Sequence, residues 1–272
     1  MLRSIALAAT ALCIACPSSR PAQPTPAKPD DHELRVHVAQ AEARRAGGVA
    51  ELVQLAQSPD ARARALAVRG LGRIGSADAL AAIDRALGDA DPEVVATALD
   101  ALGIAASLDE PKEEEQRELA GKIWVAIYRG AAQRETRGSA VIAALPSVDH
   151  RILLAGIQAL GRAGDASFED YLARWLGTSA DAGVKEQCAL ALARFGRRKI
   201  AFHDEARRAL VVATRDADPR VRYAAVYALG REHEPPADES AAAALRDRLD
   251  DDAETRAQAI AGLVKRKAAK LD

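Results

Sequence analysis

Apolar residues in this chain recur at three- and four-residue spacing, and short polar turns interrupt them at regular distances. Residues 80–103, LAAIDRALGDADPEVVATALDALG, put Leu80, Ile83 and Leu87 on one helical face. They then cross a D-A-D-P turn and begin a second helical pattern. Residues 207–230, RRALVVATRDADPRVRYAAVYALG, repeat the arrangement, with Val221, Ala225, Ala228 and Leu229 on one face. Pro92 and Pro219 suit the first turn of a helix, where a missing N–H costs nothing. Asp91 and Asp218, just before them, are placed to cap free amides. The second-helix pattern returns as ARARALAVRGLG (61–72), RILLAGIQALG (151–161), VKEQCALALAR (184–194) and ETRAQAIAGLVKR (254–266). Its terminal leucines are Leu71, Leu102, Leu160, Leu192, Leu229 and Leu263. Most steps between them are 31 to 37 residues, but the step from Leu102 to Leu160 is 58.

A repeat of two antiparallel helices cannot bury its own apolar stripe, whereas a stack of such repeats can. Small residues recur at one second-helix position, Ala67, Ala98, Gly156, Cys188, Ala225 and Ala259, and let neighbouring units approach. The fold expected is therefore all-α: an α-solenoid of helical hairpins over residues 32–272. The long step predicts an irregular helical insert at about 109–133, with a helix over residues 111–129.

The pattern D-x-D-P-x-V-R-x-x-A-x-x-A-L-G resembles the HEAT repeat, and more narrowly the HEAT repeats of the phycobilisome lyase type. The likeness covers about residues 49–267. It implies a ladder in which the turn aspartate of one unit meets a second-helix basic residue of another. The matching basic residues are Arg64, Arg222, Arg256 and Lys185. Val95 replaces the basic residue in the second unit, so the ladder is expected to break there. By the same likeness, a chromophore-handling, bilin lyase-like enzyme is one alternative function, which an export signal opposes.

Composition narrows the function. Aromatics are 3% of the chain and the formal net charge is −1. A balanced charge gives no electrostatic case for non-specific nucleic-acid binding. The N-terminus, MLRSIALAATALCIAC, has Arg3 followed by the apolar run 4–15, which has signal-peptide length and is short for a bilayer span. Ala15 then precedes Cys16. The arrangement resembles the lipobox of bacterial lipoproteins, although Cys13 stands where an aliphatic residue is usual. Residues 1–15 are expected to be a signal peptide and Cys16 the lipid-attachment residue. Residues 16–31 contain Pro17, Pro21, Pro24, Pro26 and Pro29 and no large apolar side chain, so they read as an extended tether. Removal of Cys13 and acylation of Cys16 leave Cys188 as the one thiol, with no intrachain disulfide.

Several motifs weaken on inspection. Gly70, Gly72 and Gly75 form G-x-G-x-x-G, a dinucleotide fingerprint that needs a strand before it. The preceding ARARALAVR is helical, and Gly72 aligns with Gly103, Gly161 and Gly230, which the pattern reads as helix-stop glycines. Cys188 falls on the buried face and reads as a small hydrophobe. His32, Glu33 and His37 read as a solvated chain end, and His150, His203 and His233 are scattered, so no metal site is expected. The tail KRKAAK, residues 265–270, reads as a solvated, dipole-compatible helix end.

Two aromatic groups remain. Trp124 and Tyr128 lie four apart in the insert, with Phe168, Tyr171 and Trp175 on the next helix. Their bland reading is gap filling; their functional reading is a partner-binding patch, since Trp and Tyr are enriched in hot spots. Tyr223 and Tyr227 lie on a second helix. The outward second-helix position reads Arg69, Asp100, Gln158, Leu190, Tyr227 and Ala261, with no repeated chemistry, which speaks against a one-residue-per-unit RNA code. The candidate partner surface is Trp124, Tyr128, Tyr223 and Tyr227. The expectation is a non-enzymatic scaffold or adaptor, lipid-anchored in the cell envelope, without cofactor, metal, nucleic acid or small-molecule substrate. Its rival is a purely architectural envelope role with no stable partner.

Overall fold

The structure, a computed structural model, describes residues 31–108, 113–132, 149–235 and 239–269. The expected signal peptide, Cys16 and the tether lie outside these residues. Among the described residues every regular element is helical. The helices are α1 (Asp31–Ala43), α2 (Val49–Leu55), α3 (Ala61–Ile74), α4 (Ala77–Ala86), α5 (Pro92–Ala105), α6 (Glu113–Ala132) and α7 (His150–Ala163). They continue as α8 (Glu169–Thr178), α9 (Ala182–Arg197), α10 (Asp204–Ala213), α11 (Pro219–Arg231), α12 (Glu239–Arg246) and α13 (Ala253–Ala269).

From α2 onward the helices pair into six units, and α3, α5, α7, α9, α11 and α13 are the second helices. Their starts share one chemistry. Asp60, Asp91, Asp149, Asp181 and Asp218 each accept a backbone N–H two or three residues on. Asp252 does the same for Glu254 and Thr255. Satisfying these otherwise orphaned donors fixes where each second helix begins. The aligned Ala67, Ala98, Cys188, Ala225 and Ala259 are all fully buried.

Consecutive second helices pack on one another more extensively than most first helices do. Glycine explains the close approach. A Cβ built on Gly72 would stand 2.6 Å from the Cβ and 2.7 Å from the Cα of Ala101. One on Gly161 would stand 2.7 Å from the Cα of Ala191. A Cβ on Gly103 would stand 3.1 Å from the Cα of Ala159, and one on Gly230 would meet Gly262 at an ordinary 3.5 Å. The sequence reading of these four as left-handed stops is therefore corrected. Gly72, Gly103, Gly161 and Gly230 lie within their helices, and Gly75, at φ 71°, is the residue that ends α3. Because the second-helix side is drawn together, the exposed surface of those helices forms the inner face of the stack.

Two other expectations change. The described part of the insert is α6, which takes the first-helix place of the third unit. It packs on α7, where Ile127 occupies the space above Gly156. The chain end carrying His32, Glu33 and His37 is helical: α1 buries Leu34, Val38 and Ala41 and packs against α2 and α3. His37 Nε2 lies 2.7 Å from a Glu51 carboxylate oxygen on α2.

Candidate functional site

The expected ladder is present at both ends of the stack. Arg64 donates to Asp89 through Nε and Nη2 at 2.8 and 2.7 Å, and its Nη1 reaches the carbonyls of Ser58 and Pro59. Arg222 repeats this on Asp251 at 2.8 and 3.0 Å, with Nη1 on the carbonyls of Asp216 and Ala217. Lys185 makes a single bond of 2.8 Å to Asp216. Each rung ties the turn of one unit to the turn of the next. The hydrogen bond from Arg64 holds the Asp89 carboxyl below its ordinary range, and that from Arg222 holds Asp251 at about 2. Val95 is buried, as a broken rung requires, and so is Leu153 at the same register on α7. Arg256, in the last unit, reaches the Asp251 carbonyl at 3.5 Å and, among the described residues, makes no rung to a turn aspartate.

Of the four proposed surface residues, Trp124 and the Tyr223–Tyr227 pair lie in separate aromatic groups. Trp124 packs inward, with ring centroids 4.7 Å from Tyr171, 5.7 Å from Phe168 and 5.9 Å from Trp175. This cluster joins α6 to α8, and Trp175 is almost completely buried. The Tyr128 side chain lies outside the described residues. Tyr223 and Tyr227 stack on α11 with centroids 6.2 Å apart and planes 7° apart. The Arg231 guanidinium lies 4.9 Å from the Tyr227 centroid. These three, at i, i+4 and i+8, form a half-exposed stripe on the inner face.

One turn beyond the outward position, the inner face carries a chemistry that the sequence reading missed. Thirteen residues after the capping aspartates stand Arg73, Ile104, Arg162, Arg194, Arg231 and Lys265. Five of these six are basic. The glycines help to place them: Arg162 Cδ lies 3.3 Å from where a Gly103 Cβ would be, and Arg194 Cδ is equally close to Gly161. The stems of Arg162 and Arg194 therefore lie against the preceding second helix. Asp100 sits among Arg69, Arg162 and Arg194; burial raises its pKa against the pull of these three cations. Its Oδ1 is 3.6 Å from Arg162 Nη1, beyond hydrogen-bond distance. Extending the alignment past the leucine would have exposed this row.

The remaining candidates have structural surroundings. Cys188 is fully buried on α9, and burial pushes its thiol pKa up, away from the reactive thiolate. Gly70 and Gly72 are inside α3, and Asp89 is engaged by Arg64. The tail reading changes at Arg266, which is buried and bonds Glu232, itself bonded by Arg207 Nε at 2.8 Å. Glu169 is fully buried and accepts the His203 backbone N–H at 2.7 Å. Desolvation raises its pKa. Among the described residues no group of three or more His, Cys, Asp and Glu converges, and no helix is long and apolar enough to cross a membrane.

The family described as HEAT repeats matches residues 49–118 and 200–264. These two stretches are HEAT repeats. They bracket the central units, where the Arg–Asp rungs are missing. No curated protein matches the chain. Among solved structures, the solenoid is similar to the archaeal HEAT-like repeats protein from Thermococcus onnurineus NA1. The identity is 16%, the TM-score 0.53, and 88% of this chain and 97% of that chain are covered. It is also similar to the complex of CpcE and CpcF of phycocyanin lyase from Nostoc sp. PCC7120. There the identity is 15%, the TM-score 0.50, and the coverage 92% and 98%. These likenesses concern the fold.

Proposed function

We propose that this HEAT solenoid is a non-enzymatic scaffold that holds another protein against its inner face. The observation that carries the reading is the Tyr223–Tyr227–Arg231 stripe, a half-exposed stack on a rigid second helix. Large aromatic and arginine side chains already held in place bind with little further loss of conformational freedom. Trp124 leaves the proposed surface, because its ring is engaged within the molecule. The N-terminal sequence supports the second half of the proposal: a lipid on Cys16 and a Pro-rich tether that hold the solenoid off a bacterial envelope membrane.

The test uses the full chain in a bacterial host that processes lipoproteins. A photo-crosslinking residue replaces Leu190 on the inner face or Val212 on α10, which is 70% exposed. The expected result is one adduct of defined mass from position 190, absent from position 212 and lost in Tyr223→Ala/Tyr227→Ala. No adduct from position 190 leaves the architectural role instead. Mass spectrometry of the mature N-terminus reads the anchor, and an unmodified Cys16 ends that part of the proposal.

A further inference from the structure

The two ends of the second helices treat charge differently. Near their starts, basic residues on the inner face are matched by acids. Arg151 bonds its own cap Asp149 and lies 3.3 Å from Glu93 of the preceding second helix. Arg220 bonds Asp218 and lies 4.0 Å from Glu186. Near their ends, basic residues outnumber the acids that face them: Arg162 pairs with Asp100 at 3.6 Å, and Asp100 is shared with Arg194. Arg73 has Glu42, and Lys265 donates to the neutral carbonyl of Glu232 at 2.6 Å. Of the four units between, one has Ile104 in place of a basic residue, and among the described residues Asp100 is the carboxylate that faces Arg162 and Arg194. Among the described residues Nη1 of both arginines is buried without a hydrogen bond, and that of Arg162 faces Asp100 Oδ1 as an ion pair. Burial and the Arg162 charge lower the Arg194 pKa, as expected for cations crowded together.

One carboxylate shared by two arginines leaves excess positive charge on their half-exposed guanidiniums, which favours an anionic partner. Their fork geometry fits a carboxylate bidentately. They also repeat once per unit, at the spacing of packed helices, about 8–10 Å. An extended chain advances about 3.3 Å per residue, so every second or third of its side chains meets the next guanidinium.

We propose that the row Arg162, Arg194 and Arg231 binds an acidic segment of the partner protein, laid in extended form across the second helices, with Asp or Glu carboxylates on successive arginines. The proposal rests on the scaffold reading and names the chemistry of its partner. A polynucleotide is the less suitable occupant. Glu93, Asp100 and Glu254 share the inner face, so an evenly charged phosphate backbone would meet both signs, whereas spaced carboxylates can register with the arginines alone.

The test is fluorescence anisotropy of the full chain with labelled decaglutamate, and with decalysine and a ten-nucleotide oligo-dT as comparisons. Decaglutamate should bind, weaken as salt rises, and lose at least about tenfold in affinity in Arg162→Ala/Arg194→Ala. Arg194→Lys should lose part of the affinity, because it keeps the charge and loses the fork. Asp100→Asn removes the competing carboxylate and should tighten binding about threefold or more. This gain keeps the proposal falsifiable if the double variant folds poorly. Equal binding by wild type and the arginine variants, no tightening in Asp100→Asn, or stronger binding of decalysine or oligo-dT overturns the proposal. If position 190 yields its crosslink but decaglutamate neither binds nor competes, this inference falls and the scaffold stands. If decaglutamate binds as expected but no crosslink forms, the scaffold reading fails instead.

Discussion

Gly72 and Ala101 stand so close that a methyl group on Gly72 would overlap the Cα of Ala101, 2.7 Å away. The contact sits between α3 and α5, and Gly161 and Ala191 repeat it between α7 and α9. It sets how tightly the second helices stack, and so the curvature of the inner face.

Gly72→Ala and Gly161→Ala are expected to destabilise the protein. Alanine gains about 1 kcal/mol of helix propensity over glycine, but overpacking against backbone costs about 1–3 kcal/mol. Gly121 on α6 and Gly177 on α8 have open space around them, so Gly121→Ala should stabilise by about 0.5–1 kcal/mol. Urea denaturation midpoints read both signs. Stabilisation by Gly72→Ala would refute the close-approach account.

The rung between Arg222 and Asp251 predicts a pH dependence. The folded-state pKa of Asp251 lies at about 2, below its ordinary value of 3.8. The stability this carboxylate contributes is fully present above the ordinary value and is lost as pH falls from there toward about 2. Asp251→Asn should therefore be less stable than wild type near neutrality and lose less on acidification. Arg222→Ala should cost about 1–2 kcal/mol near neutrality, as expected for removal of a charge-assisted bond that leaves a partly buried acceptor. Denaturation midpoints measured between about pH 6 and 2 test both.

Cys188 predicts inertness. Its thiol is fully buried and its thiolate is disfavoured by burial, so a maleimide should not label it in the folded chain. Labelling should become complete in denaturant, read by mass spectrometry of the peptide that contains residue 188. Rapid labelling under native conditions would contradict its place in the core.

Trp124 predicts a stability effect with little effect on binding. It joins α6 to Phe168, Tyr171 and Trp175, so Trp124→Ala should cost on the order of 2–3 kcal/mol. That is below the about 3–5 kcal/mol typical of a fully buried Trp. Its near-ultraviolet circular dichroism should weaken as the stacked pair with Trp175 is lost. Crosslinking from position 190 should persist under conditions where the variant is folded.

Much of this molecule was legible in the sequence, for local reasons. Each second helix announces its start with a capping aspartate, and Pro92 and Pro219 mark two of those starts. The 3.6-residue periodicity marks the buried face. The alignment of small residues and the Arg64–Asp89 and Arg222–Asp251 rungs follow from the repeat, because each unit meets its neighbour in the same way. Glycine in a helix was ambiguous: a helix stop and a close approach both require a missing Cβ, and only the neighbouring backbone of Ala101 or Ala191 distinguishes them. The aromatic residues were ambiguous in the same way. Composition could not tell that the ring of Trp124 meets α8 while Tyr223 and Tyr227 stay on the inner face.

The sequence by itself determined the all-helical repeat, its register and its capping, because these depend on residues within one or two turns of each other. Only the tertiary structure decided that α6 serves as the first helix of the third unit and that Arg266 is buried against Glu232. It also decided that Arg162 and Arg194 converge on one carboxylate. These depend on which helices are neighbours across a distance the repeat does not encode. Charge becomes a binding surface only when stacking brings the same residue of successive units into one line.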